Sequence, residues 1–180
     1  PERFNMKDKP TSILRMDGAK EVAVELNSLS KANKRAGWRI GVLGGAKQRI
    51  DEVMRFKSNM DSGMFLPMQL AAAKALELGR EWHDELNAIY FKRRKLAQEL
   101  LNMTGCTTAP GQAGMFLWAA IPDRYKDGYA LSDEILYQSN VFITPGGIFG
   151  NAGNKYVRLS LCSKEEKLVE AIERIKTHLT

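Results

Sequence analysis

The stretch Ser28-Leu29-Ser30-Lys31, followed by Ala36-Gly37-Trp38-Arg39-Ile40-Gly41, holds residue types suited to covalent chemistry on a phosphorylated aldehyde. A lysine amine that is desolvated or set near other cations loses its proton readily, and the neutral amine is a nucleophile that forms an imine with a carbonyl. Arg39, eight residues after Lys31, offers a planar fork that grips phosphate in a bidentate way. The hydroxyls of Ser28 and Ser30 add donors that a phosphate dianion accepts, although a serine in a turn can equally satisfy its own backbone. The carbonyl is thus assigned to Lys31 and the dianion to Ser28, Ser30 and Arg39. A second chemical position is Arg158, set in the apolar run Tyr156-Val157-Arg158-Leu159-Ser160-Leu161 just past a loop containing Gly146, Gly147, Gly150 and Gly153. A buried arginine without an anionic partner is costly, so this position asks for an anion.

The elements that must position these groups follow from periodicity and punctuation. Residues 1–18 read as an entry segment with at most a short strand around Ser12-Ile13-Leu14. Val22 to Leu26 suits a strand running into the polar turn 27–31, and Trp38 to Leu43 suits a second strand ending at Gly44-Gly45. A helix is expected over 46–60, with Ile50, Val53, Met54 and Lys57 on one face. Pro67 opens an Ala-rich helix from Met68 to about Leu78, and Gly79 marks a cap or kink. A long amphipathic helix covers about 81–103, with Leu86, Ile89, Tyr90, Leu96, Ala97, Leu100 and Leu101 recurring at helical spacing. Beyond Gly105, strands are expected at 106–110, 115–121, 141–143 and 156–161. A short helix capped by Ser132 is expected before the third of these strands. A last helix, started by a Ser163/Glu166 capping box, turns Leu168, Val169, Ile172, Ile175 and Leu179 inward. The expected organisation is a first part over 1–68 with the candidate lysine, and a second over 69–180 made of long helices and a small α+β domain, α/β to α+β in class.

Composition excludes several function classes. The chain has 180 residues, 44% hydrophobic and 27% charged, a globular balance. Two cysteines, at 106 and 162, are too few for a disulfide scaffold or a Cys-based zinc site, and both are expected as buried structural thiols. His83 and His178 have no second histidine at metal-ligand spacing, so no metal is expected. No apolar run reaches the roughly 20 residues of a membrane span and no secretory signal is visible, which points to a cytoplasmic protein. The net charge of +6 raises nucleic acid as a partner. Its densest run, Lys92-Arg93-Arg94-Lys95, lies on a helix without interleaved aromatics and is expected to face solvent, so no nucleic acid is expected. The glycines at 146–153 precede a strand, not a helix, which excludes a dinucleotide fingerprint. Met54 to Met68 is expected to pack in a core or dimer contact.

Ser-x-Ser-Lys followed by Ala-Gly-Trp-Arg-Ile-Gly resembles the cofactor-lysine signature of the class I/II aminotransferases, enzymes of fold type I that use pyridoxal 5'-phosphate. The resemblance implies that Lys31 is the lysine holding the cofactor as an aldimine and later the proton carrier. It further implies that Ser28, Ser30 and Arg39 bind phosphate. Between lysine and glycine the family usually has an aromatic residue and then Asn-Met, where this chain has Ala32-Asn33-Lys34-Arg35. Pro145-Gly146-Gly147-Ile148-Phe149-Gly150, Gly153 and Tyr156-Val157-Arg158-Leu159-Ser160 resemble the family's closing motif, in which the arginine binds the substrate α-carboxylate; that role falls to Arg158. Lys57 to Gly63 and Pro110 to Phe116 are also familiar from the family, the first near its dimer interface and the second at the start of its small-domain sheet.

The resemblance implies the C-terminal part of the fold: the end of the large domain and the small α+β domain. It implies an aminotransferase acting on amino acids and 2-oxoacids, with aspartate type as the family-level expectation, and a homodimer. It covers only the later half of the family's pattern. The phosphate loop, the ring-stacking aromatic and the Asp that pairs with the pyridine nitrogen would lie upstream of Pro1. A second reading is therefore a catalytically incomplete C-terminal fragment acting as a structural or dimerisation unit, and a third keeps the fold but changes the reaction to a lyase or decarboxylating synthase.

Overall fold

The computed structural model of the chain describes residues 11–32 and 36–178, with the side chains of residues 31, 32, 36 and 178 outside that description. Two compact units emerge, spanning 11–83 and 84–178 among the described residues.

The first unit is built on an antiparallel ribbon of β1 (Val24–Ser28) and β2 (Gly41–Gly45), paired from Val24 with Gly45 to Ser28 with Gly41. Gly45 sits at φ +146, and a Cβ there would strike the Ala23 carbonyl oxygen, so the strand can close against that backbone only with glycine. Before the ribbon, Ile13–Arg15 forms a 3-10 turn and α1 (Ala19–Val22) a single helical turn. The Ser12 hydroxyl caps the first of these turns by accepting from the Leu14 N–H, in place of the short strand expected there. After β1 come α2 (Leu29–Ala32), a 3-10 turn at Ala36–Trp38 and β2. Helices α3 (Lys47–Met60) and α4 (Leu66–Leu76) follow, the latter with Pro67 in its first turn. A small apolar cluster of Leu29, Ile40 and Ala72, with Trp38 and Met68 against it, holds this unit together.

The second unit has a four-stranded antiparallel sheet in the order β3 (Thr107–Thr108), β4 (Phe116–Ala120), β6 (Tyr156–Ser160), β5 (Thr144–Pro145). The long helix α5 (Arg80–Met103), whose residues from 84 on belong here, joins α6 (Gly128–Ser139) and α7 (Glu165–His178). Strict alternation in β4 and β6 buries Leu117, Ala119, Val157 and Leu159 on one sheet face. Those residues form the core with Leu100 and Leu101 of α5, Leu131 and Ile135 of α6, and Leu168, Ile172 and Ile175 of α7. This is an α+β arrangement.

Several expectations change in three dimensions. The strand expected at 141–143 is displaced to Thr144–Pro145, because the buried Ser132 hydroxyl, inside α6 rather than at its start, donates to the Ile143 carbonyl. Asp127 caps α6 instead, accepting from the Ala130 N–H at 3.0 Å. Helix α7 begins at Glu165 and the Lys164 carbonyl accepts from Leu168, so the cap falls on Lys164 and not on Ser163. Val169 is exposed, and Leu179 lies outside the described residues. Helix α3 buries none of its residues: Val53 and Met54 are exposed, as are Met60 and Met64 beyond them, and of the Met-rich stretch Met68 packs in the cluster.

The basic run of α5 also divides. Lys92 and Lys95 are exposed, but Arg94 is only 8% exposed and donates to the Gly114 carbonyl at 3.0 Å, and burial pushes its pKa down. Arg93 pairs with Glu165 at 3.1 Å and reaches the carbonyls of Leu161 and Cys162, tying α5 to the start of α7. The hydrogen bond from Arg93 holds the Glu165 carboxyl below the usual carboxylate range.

Candidate functional site

In the first unit, β1 hands over to α2 at Ser28, and the ribbon extends one step further because the Leu29 N–H donates to the Ile40 carbonyl at 3.1 Å. Leu29 and Ile40 are 3% and 6% exposed, so two buried anchors clamp the chain at this end. Their neighbours are left outward: Ser28 is exposed, Ser30 half-buried and Arg39 exposed. Lys31 lies in α2, directly after Ser30, and its side chain is outside the described residues, as are Asn33, Lys34 and Arg35 altogether.

The turn duty that the sequence allowed for Ser30 belongs to Ser28, whose Oγ accepts the Ser30 N–H at 3.2 Å. That bond uses a lone pair of Ser28 and leaves its O–H to donate. Arg39 stands at φ +52, a left-handed conformation that costs a bulky residue of order 1–3 kcal/mol and persists only where the surroundings enforce it. Buried Ile40, bonded through its carbonyl to Leu29, supplies that enforcement. Among the described residues the Arg39 guanidinium has no carboxylate or carbonyl partner. A hydroxyl donor, an uncommitted guanidinium fork and the backbone of Lys31 therefore meet at one end of the ribbon, a donor set that fits a phosphate dianion beside an amine-reactive carbonyl.

Arg158 lies in the second unit, on the sheet face opposite the core. Its cross-strand neighbours are Trp118 of β4 and Thr144 of β5. Its guanidinium carbon stands over two aromatic rings, 4.3 Å from the centroid of Phe116 and 4.2 Å from that of Phe149. No hydrogen bond or ion pair holds it among the described residues. The rings take up the cation without spending an N–H, so its donors remain for an anion. Trp118 stacks on Tyr156 at 5.6 Å and 23° and meets Phe149 at 5.8 Å. Gln112 fixes the backbone of Trp118 in both directions: its Oε1 accepts the Trp118 N–H at 2.8 Å and its Nε2 donates to the Trp118 carbonyl at 2.7 Å. A side-chain amide thus continues the pairing that β3 abandons after Thr108.

Sequence reasoning found Arg158 but not Phe116, Trp118, Phe149 or Gln112 around it. The signal available for Phe116 and Trp118 was the alternation 116, 118, 120, which puts them on the face opposite Leu117 and Ala119.

No group of three His, Cys, Asp or Glu residues among those described could hold a metal ion, and no helix among them is long and apolar enough to cross a membrane. The two thiols differ, contrary to expectation: Cys106 is buried and Cys162 exposed. Burial pushes the Cys106 thiol up, with the hydrogen bond from Thr104 opposing it in part. Under native conditions an aromatic disulfide reagent at pH 8 is expected to titrate one thiol quickly and the second only on unfolding. Cys162→Ser is expected to remove the fast phase.

The family model for aminotransferase class I and II matches residues 3–175. An LL-diaminopimelate aminotransferase of Dehalococcoides mccartyi is 39% identical over 167 residues, covering 93% of this chain and 43% of that protein. Among solved structures, apo BacF from Bacillus subtilis superposes with a TM-score of 0.86 at 35% identity, over 97% of this chain and 44% of BacF. The aromatic aminotransferase of Pyrococcus horikoshii gives 0.84 at 32%, over 97% and 47%. The chain spans less than half the length of the relatives it matches, and its architecture is that of a C-terminal portion of the fold type I aminotransferase fold.

Proposed function

The chain belongs to the class I and II aminotransferases, and we propose that it carries the attachment lysine, phosphate grip and carboxylate grip of an enzyme moving an amino group between an amino acid and a 2-oxoacid with pyridoxal 5'-phosphate. The observation that carries this reading is the ribbon end pinned by Leu29 and Ile40, which gathers Ser28, Ser30, Lys31 and Arg39. When bound, the cofactor supplies an electron sink that acidifies the bond next to the amino group. Lys31 would hold the cofactor through its Nζ amine and would serve as the proton carrier. Arg39 and the Ser28 hydroxyl hold the dianion, with Ser30 beside them, and Arg158 holds the substrate carboxylate. The names of the relatives favour a diaminopimelate-like donor over aspartate. Homodimeric assembly and a cytoplasmic setting complete the reading.

The test is a visible absorption spectrum after adding pyridoxal 5'-phosphate. A protein-bound band distinct from free cofactor is expected, lost in Lys31→Ala; equal spectra for the two proteins would refute the assignment. The share of the relatives' length that is matched favours a second reading, a structural unit without turnover of its own. Transamination of an amino donor with 2-oxoglutarate by the purified chain would exclude that reading.

A further inference from the structure

We propose that Phe149 is a positioning residue for carboxylate capture, acting through Arg158; this rests on the proposed carboxylate role of Arg158. The starting point is how the guanidinium is held. An arginine on a half-buried sheet face is ordinarily oriented by a carboxylate or carbonyl that consumes its N–H groups. Here its carbon stands over Phe116 and Phe149, and none of its donors is engaged among the described residues. Cation–π contact is attractive and leaves the N–H edge unspent. A ring is therefore a holder that does not compete with the ligand, which a carboxylate holder would.

The two rings are not equivalent. Phe116 is fixed in β4, next in the chain to Leu117 of the core. Phe149 ends a 3-10 turn, Gly146–Phe149, and is 51% exposed, so burial of its own side chain does not account for its place. What places it is backbone. Gly146 and Gly153 approach so closely that a Cβ on either would strike the other's carbonyl oxygen, and a Cβ on Gly128 would strike the Tyr156 carbonyl oxygen. The glycine-rich loop thus folds flat onto the end of β6 and delivers the Phe149 ring to Arg158 and to Trp118, itself stacked on Tyr156. Phe149 is the member of the aromatic group that belongs to the loop, so it couples the loop's conformation to the readiness of the guanidinium.

The experiment uses the full chain, 15N-labelled at arginine, with pyruvate as the carboxylate probe. The Arg158 Nε–H resonance is followed through the titration for the parent, Phe149→Leu and Phe149→Tyr, and pyruvate binding by Arg158→Lys, which lacks that resonance, is followed by isothermal titration calorimetry beside the parent. In Phe149→Leu the free-state resonance is expected to move as the ring current is lost, and the pyruvate dissociation constant to rise about tenfold. Phe149→Tyr, which keeps a ring, should return both to near the parent. Arg158→Lys should abolish binding. Because Phe149 is half exposed, its thermal midpoint should shift little on change to leucine, and an affinity loss that tyrosine rescues is not what a general packing defect gives. Pyruvate binding by Phe149→Leu equal to the parent, with Arg158→Lys still dead, overturns the role of Phe149 and leaves Arg158 standing. Failure of tyrosine to rescue overturns the ring-based holder. Undiminished binding by Arg158→Lys, or no binding by the parent, overturns the carboxylate reading and the present inference with it.

Discussion

Gly153→Ala is expected to destabilise the second unit by about 1–3 kcal/mol, the usual cost of forcing atoms into a filled space without a flexible neighbour to yield. The added methyl would meet the carbonyl oxygen of Gly146, its carbonyl carbon at 2.6 Å and its Cα at 3.3 Å, all of them main chain. Relief requires the loop to lift away from the end of β6, which also withdraws Phe149 from Arg158 and Trp118. Two other glycines of the same loop serve as controls. At Gly147 the new methyl would meet Asn154 Oδ1 and the Tyr129 ring, each at 2.6 Å, side chains that can swing aside. At Gly150 there is open space, but φ is +122, so alanine there is strained by conformation alone. Urea unfolding followed by tryptophan fluorescence should show the larger loss for Gly153→Ala than for Gly147→Ala. The reverse order would mean that the Gly146–Gly153 approach is not what closes the loop.

The part of the site legible in the sequence was the part with its information close together in the chain. Ser28, Ser30, Lys31 and Arg39 lie within a dozen residues, and a turn between two strands is enough to bring their backbones to one end. Helices α3 and α5 were readable for a similar reason, since their patterns are internal. What each helix buries was readable in part: in α5 the stripe Leu86, Tyr90, Ala97, Leu100 and Leu101 is buried as its spacing predicts, while Ile89 is exposed. Among the described residues the apolar side chains of α3 face no core, and Arg94, which looks like part of a charged face, is drawn inward by the Gly114 carbonyl twenty residues away. Ser132 shows the same limit: as a sequence signal it is a good cap, but a carbonyl at Ile143 and a competing Asp127 decide otherwise. The surroundings of Arg158 depend on register between β4 and β6, which sets Trp118 opposite the arginine and Phe116 on its diagonal. Pattern alone gives the faces of those strands but not which residue on one meets which on the other.

Arg39→Ala is expected to weaken pyridoxal 5'-phosphate binding by about ten- to a hundredfold, since hydrogen bonds to charged groups contribute roughly 1.5–3 kcal/mol each. The sharper expectation concerns selectivity. On the proposed roles, unphosphorylated pyridoxal, counted as its open aldehyde and not as the internal hemiacetal that dominates in water, offers Lys31 the same carbonyl but gives Arg39 and Ser28 nothing to hold. In the parent, the phosphorylated aldehyde should therefore bind far more tightly than pyridoxal; in Arg39→Ala the two should converge, with pyridoxal affinity nearly unchanged. Arg39→Lys should fall between, because an ammonium keeps the charge and loses the two-pronged geometry. The substitution also replaces one side chain by another at φ +52, so neither variant relieves the backbone strain, whereas Arg39→Gly would. Arg39→Gly should lose phosphate selectivity as fully as alanine while gaining stability against urea. That divergence separates the two properties of this position: a conformation enforced by Leu29 and Ile40, and a guanidinium that has no partner among the described residues.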